Sequence, residues 1–380
     1  MIHRVLVASH VYVEPTTRGK LRALAARGLE MTVAVPQRWR DPVLGRVRES
    51  TWERREGLEM FPIPVRHSGD PLRTFFGRRE LSALLRDKRP DIVQVEAEPE
   101  TPLARQLVRY AARLKIPCVL VTLTNVEGGS SDLFAGWKRR RTLRRLAGAL
   151  AASAGAAALV RRDRPDLRVS IVPPQGAPAP TTPQRLAHEG LAIGFVGRLV
   201  PYRGLDTLLE ALAHHRHGDW RLTVVGDGPE RERLERLASD LRLAARIRWA
   251  GALPPERMPE LWPALDVLVV PSRATPSWNE PASATLLEAM AHEVAVIGSD
   301  AGVLPELIDQ AGLVTAAGDA DALAAALERV FDRDTRLRLA QAARARALQN
   351  YSDEAIAERT MAFWEELLTH PARRSANPAS

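Results

Sequence analysis

Apolar and polar positions divide the chain into two stretches of similar rhythm, separated by a segment of a different kind. In the first stretch Val5–Ala8 is a short apolar run, the signature of a buried strand. A polar turn from His10 to Gly19 follows, then helical spacing near Lys20–Ala26, a stop at Gly28 and a second strand at Met31–Val35. This is a βαβ unit, and such units build parallel sheets. The alternation continues through helix Leu81–Arg86, strand Ile92–Val95, helix Leu103–Leu114 and strand Cys118–Thr122. A helix around Leu143–Leu150 and strands at Ala157–Val160 and Ser170–Val172 complete the predicted first half.

Residues 173–188, PPQGAPAPTTPQRLAH, are dense in Pro, Gly and Thr and read as a connection between domains. The rhythm then restarts. Strands are predicted at Ala192–Val196, Leu222–Val225, Ile247–Ala250, Val267–Val270 and Ala295–Ile297, with helices at Leu205–Ala213, Glu230–Asp240 and Asp321–Phe331. A last helix, about Glu354–Leu368, carries Phe363 and Trp364. The predicted organisation is an α/β domain over 1–177, a linker at 178–188 and a second α/β domain over 189–352. A helix at 353–370 is expected to pack back on the first domain, and 371–380 to be a disordered tail. The fold class is therefore α/β, with two doubly wound domains.

Composition supports two cores: 380 residues, 45% of them hydrophobic. The single cysteine, Cys118, sits in an apolar run and reads as a buried, inert thiol. Val5–Ala8 is too short for a secretory h-region. The uncharged stretch Leu146–Val160 is too short and too rich in Ala and Gly to span a membrane. A soluble, cytoplasmic protein is expected. The net charge of +8 is unevenly spread: residues 1–180 hold 32 Lys+Arg against 18 Asp+Glu, and residues 181–380 hold 22 against 28. The first half is thus suited to an anionic partner, whether phosphorylated ligand, membrane surface or nucleic acid.

The chemistry concentrates in turns that leave predicted strands. Pro271–Met290, PSRATPSWNEPASATLLEAM, begins where an apolar strand ends and runs into a helix. It carries Glu280 in the turn and Glu288 inside the helix. Strand-to-helix turns lie at the carboxyl edge of an α/β sheet, where ligands bind, and a helix N-terminus offers unpaired N–H groups to a phosphate. A carboxylate placed there accepts hydrogen bonds from sugar hydroxyls. Gly197-Arg198-Leu199-Val200-Pro201-Tyr202-Arg203-Gly204 is a second such turn. Its two arginines, five residues apart, can converge on one dianion, because guanidinium stays charged and binds phosphate oxygens bidentately. Gly226-Asp227-Gly228-Pro229 is a third tight turn.

The order of these pieces is more specific than any one of them. GRLVPYRG, VGDGPE, a GALP turn, PS…E-x7-E-A-M-A and GVLPEL follow one another over about 110 residues. This resembles the second domain of the retaining glycosyltransferases of family 4, which have the GT-B fold of two Rossmann-like domains facing a central cleft. The resemblance implies a nucleoside diphosphate sugar, a UDP-sugar first among them, as co-substrate, with no other cofactor and no metal. It implies that Arg198 and Arg203 hold the donor diphosphate, that Glu288 binds the ribose hydroxyls and that Glu280 faces the transferred sugar. Gly197, Gly226, Leu253, Ala282, Ser283, Ala284 and Thr285 would complete the donor site. The acceptor, an unidentified hydroxyl, would meet the first domain around His10, Arg18, Gly19 and Asn125. Two departures stand out. Where the family often reads E-G-F-G, this chain reads Glu280-Pro281-Ala282-Ser283, and Pro281 has no N–H to donate. Its first-domain turn, Pro15-Thr16-Thr17-Arg18-Gly19, holds one glycine where the family has a glycine-rich loop.

Other motifs compete less well. Asp332-Arg333-Asp334 lies in an Arg/Ala-rich helical region, and His214-His215-x-His217 ends a predicted helix; both read as ordinary helix-end residues rather than metal ligands. The basic run Trp137–Leu146 reads either as a solvated face over a stripe of Leu143, Leu146 and Leu150, or as peripheral contact with an anionic inner-membrane face. No nucleic-acid reader motif accompanies it. Two rivals to a glycosyltransferase remain at this level, a nucleotide-sugar isomerase on the same fold and a non-catalytic nucleotide-sugar-binding or basic scaffold protein.

Overall fold

The computed structural model describes residues 2–41, 45–126 and 133–369, side chains of 133–135 excepted. The chain forms two compact units. One runs from the N-terminus to Thr124, takes up the chain again as far as Gln175, and includes the C-terminal helix from Ile356. The other comprises Asn125 with its neighbours and Gly176–Ala355.

The sheet of the first unit has eight strands: β1 (Arg4–Ala8), β2 (Glu30–Pro36), β3 (Glu53–Arg55), β4 (Leu58–Ile63), β5 (Ile92–Glu96), β6 (Cys118–Thr122), β7 (Gly148–Ala151) and β8 (Val169–Ile171). Their order is β8-β7-β6-β5-β1-β2-β4-β3, and all pair in parallel except the edge strand β3, which is antiparallel to β4. The central strands are near-continuous apolar runs because helices cover both faces of a parallel sheet. Those helices are α1 (Gly19–Ala26), α2 (Arg78–Lys88), α3 (Pro102–Arg113), α4 (Leu133–Leu143) and α5 (Ala154–Asp163). α3 shows the local logic. Thr101 caps it by accepting from the Ala104 N–H, Pro102 occupies the first turn, and Leu103, Leu107, Val108 and Ala111 are buried on one side.

The second unit has six strands, β9 (Leu191–Val196), β10 (Trp220–Val225), β11 (Ile247–Gly251), β12 (Val267–Val270), β13 (Ala295–Ser299) and β14 (Leu313–Thr315). They are all parallel, in the order β11-β10-β9-β12-β13-β14. Helices α6 (Leu205–His214), α7 (Arg231–Asp240), α8 (Ala284–Ala291), α9 (Leu304–Ile308), α10 (Ala320–Phe331) and α11 (Arg333–Tyr351) pack around it. Leu205, Leu208, Leu209 and Leu212 of α6 join Ile193, Trp220, Leu222 and Leu327 in one buried cluster. Truncating any of these leucines to alanine is expected to cost about 2–5 kcal/mol. The last helix, α12 (Asp353–Thr369), sets Phe363 and Leu367 against Gly148 of the first unit, where a Cβ would lie 2.8 Å from both side chains.

In each sheet the first strand lies between two later ones, β1 between β2 and β5, β9 between β10 and β12, so the chain winds away from it in both directions. These are the topological switch points, outside whose carboxyl ends open α/β sheets bind ligands.

Two predicted elements are corrected. The helix expected around Leu143–Leu150 is instead the end of α4, a turn and strand β7, so Leu143, Leu146 and Leu150 are buried without sharing one helical stripe. An Ala/Gly/Leu run carries no period of its own, and pairing with β6 and β8 decides it. The strand expected at Ala157–Val160 lies in helix α5, which Ser153 caps by accepting from the Ala156 N–H at 3.2 Å. The tail predicted at 371–380 lies outside the described residues.

Candidate active site

At the switch point of the second sheet, β9 delivers Gly197-Arg198 and β12 delivers Pro271-Ser272 to the same edge. The turn after β9 closes as a short 3-10 helix, Pro201–Arg203, ending on Gly204 at φ +70°. Only glycine fits there, because a Cβ would stand 1.9 Å from the Pro271 carbonyl oxygen. That contact ties the two turns together and sends Arg203 back over Gly197, whose missing Cβ would lie 3.7 Å from the Arg203 Nε.

Arg203 donates from Nη1 to Glu280 Oε2 at 2.6 Å, and the Ser272 hydroxyl donates to the same oxygen at 2.7 Å. The side chain of Glu280 is 1% exposed and that of Arg203 is 25% exposed, so the cation keeps an open face while the carboxylate is enclosed. Burial raises the Glu280 pKa, and Arg203 and Ser272 pull against it. The guanidinium also lies over the Trp278 ring, 5.4 Å from its centroid, and Trp278 stacks on Tyr202 at 4.3 Å. Sequence reasoning missed Ser272, Tyr202 and the stacking role of Trp278. Aromatic residues within strand-end turns were the available signal.

The backbone of Glu280 is fixed as well. Its carbonyl accepts from the Val303 N–H and from Asn125 Nδ2, both at 3.0 Å. Gly302, at φ +58°, passes so close that a Cβ would lie 2.1 Å from that carbonyl oxygen. Asn125 is thereby brought to the Glu280 turn. After it the chain enters α8 with Ser283 at the N-cap position, and the Ser283 side chain makes no capping bond, which leaves the first N–H groups of the helix available. Ala282, Ala284 and Thr285 flank that helix start. Arg198 is exposed and has no ion pair or side-chain hydrogen bond among the described residues. Gly226, at φ +136°, approaches the Gly197 carbonyl so closely that a Cβ would lie 1.8 Å from its oxygen, and its own N–H donates to Gly251. Leu253 follows in the half-buried turn after β11. Glu288 is half-buried one turn further along α8; burial and the nearby Asp353 push its carboxyl up to about 7, against a favourable contact with Trp262.

The first unit has a switch point of another kind. Glu96, at the end of β5, accepts on Oε1 from Tyr12 Oη at 2.7 Å, Gln94 Nε2 at 2.9 Å and Lys20 Nζ at 3.0 Å. His10 stacks on Trp39 with ring centroids 4.7 Å apart, and burial lowers its pKa to about 4 against the pull of Glu96. Arg18 donates from Nε to the Tyr12 carbonyl at 2.8 Å and ion-pairs with Glu53, and Gly19 opens α1 with an ordinary helical φ of −56°. Elsewhere the His214–His217 motif is engaged by helix neighbours: His215 bonds the Ala324 carbonyl at 2.9 Å and faces Glu328.

Comparison with known proteins places this geometry. Residues 13–175 match the model of the glycosyl transferase 4-like domain, and residues 182–346 match that of glycosyl transferases group 1. The chain belongs to glycosyltransferase family 4, on the GT-B fold. As a member it is a glycosyltransferase with a nucleotide-sugar donor. It is similar to the lipopolysaccharide core biosynthesis glycosyltransferase LpsE of Rhizobium meliloti, with 29% identity over 373 residues, 92% of this chain and 94% of that protein. Among solved structures it is similar to sucrose-phosphate synthase from Thermosynechococcus elongatus (TM-score 0.73, 18% identity, 97% of this chain and 99% of that one). It is also similar to Anabaena HepE in complex with UDP (TM-score 0.68, 15% identity, 96% of this chain and 100% of that one). In this glycosyltransferase the residues matched by the group 1 model include Arg198, Arg203, Glu280 and Glu288.

Proposed function

We propose that the protein is a retaining hexosyltransferase that takes a sugar from a UDP-sugar and passes it to a hydroxyl acceptor without a metal. The observation that carries this reading is the Arg203–Glu280 pair at the switch point, with exposed Arg198 and the uncapped start of α8 nearby. When the sugar–phosphate bond breaks, charge develops on the leaving diphosphate. Arg198, Arg203 and the helix N-terminus supply a fixed positive field for it, and stabilisation aimed at developing charge accelerates the step. Arg203, already oriented by Glu280 and by Trp278, needs little reorganisation. Glu280, with Oε2 engaged by Arg203 and Ser272, keeps Oε1 for a hydroxyl of the transferred sugar. Glu288, whose carboxyl titrates near 7, accepts from the ribose hydroxyls in its ionised form. Retention follows if the acceptor attacks on the face the diphosphate leaves, with a phosphate oxygen taking its proton and no enzymic nucleophile. The UDP preference draws on similarity to HepE, which has been solved with UDP and with UDP-glucose.

Peripheral membrane contact is a further part of this reading. No described helix is long and apolar enough to cross a membrane. α4 and the turn after it expose Trp137, Arg140, Arg141, Arg144 and Arg145, with Arg141 5.0 Å from the Trp137 ring centroid, a pairing of aromatic and cation that suits anionic head groups. Arg139 is committed instead to Asp163 at 2.6 Å.

The test is to incubate the protein with UDP-hexoses in excess chelator and follow UDP release. Proton NMR of any transferred or hydrolysed sugar then reports its first-formed anomer. Release with the donor's anomeric configuration supports the reading. An inverted product contradicts retention, and absence of turnover with every UDP-hexose contradicts the donor assignment.

A further inference from the structure

The first unit holds a cavity of about 490 Å³ within itself, well inside the range of small-ligand sites. It lies between the chain of Pro15–Arg22 and the segment 48–56, with Val35, Leu58 and Met60 in its apolar lining. Each arginine of that lining is ion-paired. Arg18 faces Glu53, Arg22 faces Glu56, and Arg48 meets Glu14 at 2.7 Å. Arg55, paired with Glu56, and Glu49 also line it, so the four guanidiniums of the lining stand against the carboxylates of Glu49, Glu53 and Glu56, while Glu14, which does not line it, holds Arg48. The Ser50 hydroxyl is buried there with no hydrogen-bond partner.

We infer that this cavity is a saccharide site, taking the neutral, hydroxyl-rich part of a glycan. Each paired guanidinium keeps further N–H donors, and each paired carboxylate keeps free lone pairs. A sugar hydroxyl donates to one and accepts from the other, so it satisfies both members of a pair without breaking it. A phosphate or carboxylate ligand would have to displace a glutamate from its arginine and then sit beside the carboxylates that remain. The groove between α2 and α3 makes the contrast. Its lining of about 350 Å³ contains Arg78, Arg79, Arg86 and Arg113 and no carboxylate, and none of these arginines forms an ion pair among the described residues. An anion would choose that groove. The unpartnered Ser50 hydroxyl and the apolar lining beneath the charges complete a surface suited to the polar edge and the C–H face of a sugar ring. That the bound glycan serves as acceptor rests on the transferase reading; its binding does not.

The experiment uses the full chain without nucleotide on a printed array of neutral and phosphorylated glycans, followed by calorimetric titration of the best neutral hit. Arg48→Gln and Arg22→Gln each weaken that binding at least tenfold, while UDP affinity and thermal melting stay as in the parent. Loss of a single variant to misfolding is recognised by its melt, and the other variant then carries the test. Binding confined to phosphorylated glycans overturns the neutral class. Neutral binding that neither variant changes, or no neutral binding at all, overturns the site. Saccharide binding that responds to the variants while UDP fails to bind would keep this site and sink the transferase reading instead.

Discussion

The two sheets end in switch points built from different materials. In the second unit the edge is made largely of backbone: Gly197, Gly204, Gly226 and Gly302 bring main chain within contact of main chain, and the Arg203–Glu280 and Arg273–Asp206 pairs brace the turns. In the first unit the edge is made of side chains, with Glu96 held by three donors, Arg18 held by Tyr12 and Glu53, and a single glycine in the turn after β1. The difference tracks the ligand each would take. A diphosphate is gripped by N–H groups and fixed cations, which requires the chain to come close. A hydroxyl-rich ligand is gripped by donors and acceptors in equal supply, which side chains provide.

The comparison breaks most readily at Arg203. Arg203→Ala strands a buried carboxylate, and is expected to cost about 3 kcal/mol in urea unfolding at pH 8 and at least tenfold in UDP affinity. Adding Glu280→Gln should recover much of the stability and none of the binding; full recovery of binding would mean Arg203 serves the fold alone. Next in size is Gly226→Ala. Its φ of +136° and the Gly197 carbonyl leave no room for a methyl, so a loss of about 2 kcal/mol with weakened donor binding is expected. An equivalent change at Gly19, with its helical φ, should be nearly neutral to stability.

Two smaller effects depend on pH. Folded Glu288 takes up its proton near pH 7 and the unfolded carboxyl near 4.5, so the folded state binds more protons in between and loses stability as pH rises through that window. Glu288→Gln should therefore stabilise the protein by about 1–2 kcal/mol above pH 7 and leave it unchanged below 4.5. It should weaken UDP binding above pH 7, where the parent carboxylate is ionised, and change it little below 4.5, where the parent is already neutral. His10 has the opposite sign. It is protonated below about 4 when folded and below 6.5 when unfolded, so stability is lost as pH falls between those values. His10→Gln should retain about 1 kcal/mol more of its neutral-pH stability at pH 5 than the parent does. Parallel curves for variant and parent would show that His10 is more open to water than its stacking on Trp39 suggests.

The second unit was legible because its strands are apolar runs bounded by Gly or Pro turns, and Val267–Val270 was placed to the residue. The first unit was harder. Leu58–Ile63 contains Pro62 and polar Glu59, so periodicity does not mark it as a strand, yet six paired residues beside β2 make it one. β7 and α5 were exchanged because alanine favours helix while burial between two strands favours extension, and only the Ser153 cap separates the cases. α11, nineteen residues rich in Arg and Ala, is recognisable in the sequence as a helical region but without bounds, although Asp332 caps it by accepting from the Thr335 N–H. At the site, the arginine turn and the two glutamates could be picked out singly. Their meeting could not, since Arg203 and Glu280 are 77 residues apart and only the strand order β9 beside β12 joins them. The Arg–Glu pairs of the first-unit cavity are equally hidden, since most of them join residues 14–22 to residues 48–56 across a long stretch of sequence.

The most direct measurement is calorimetric titration of UDP, with GDP and ADP for comparison, into the parent and Arg198→Ala in the presence of chelator. Arg198 has no structural partner among the described residues, so its loss leaves the fold untouched and reports the diphosphate alone. The account predicts metal-free UDP binding to the parent and at least tenfold weaker binding to the variant, with identical melting curves. Equal UDP affinity in both proteins, or no nucleotide binding to the parent, would contradict it.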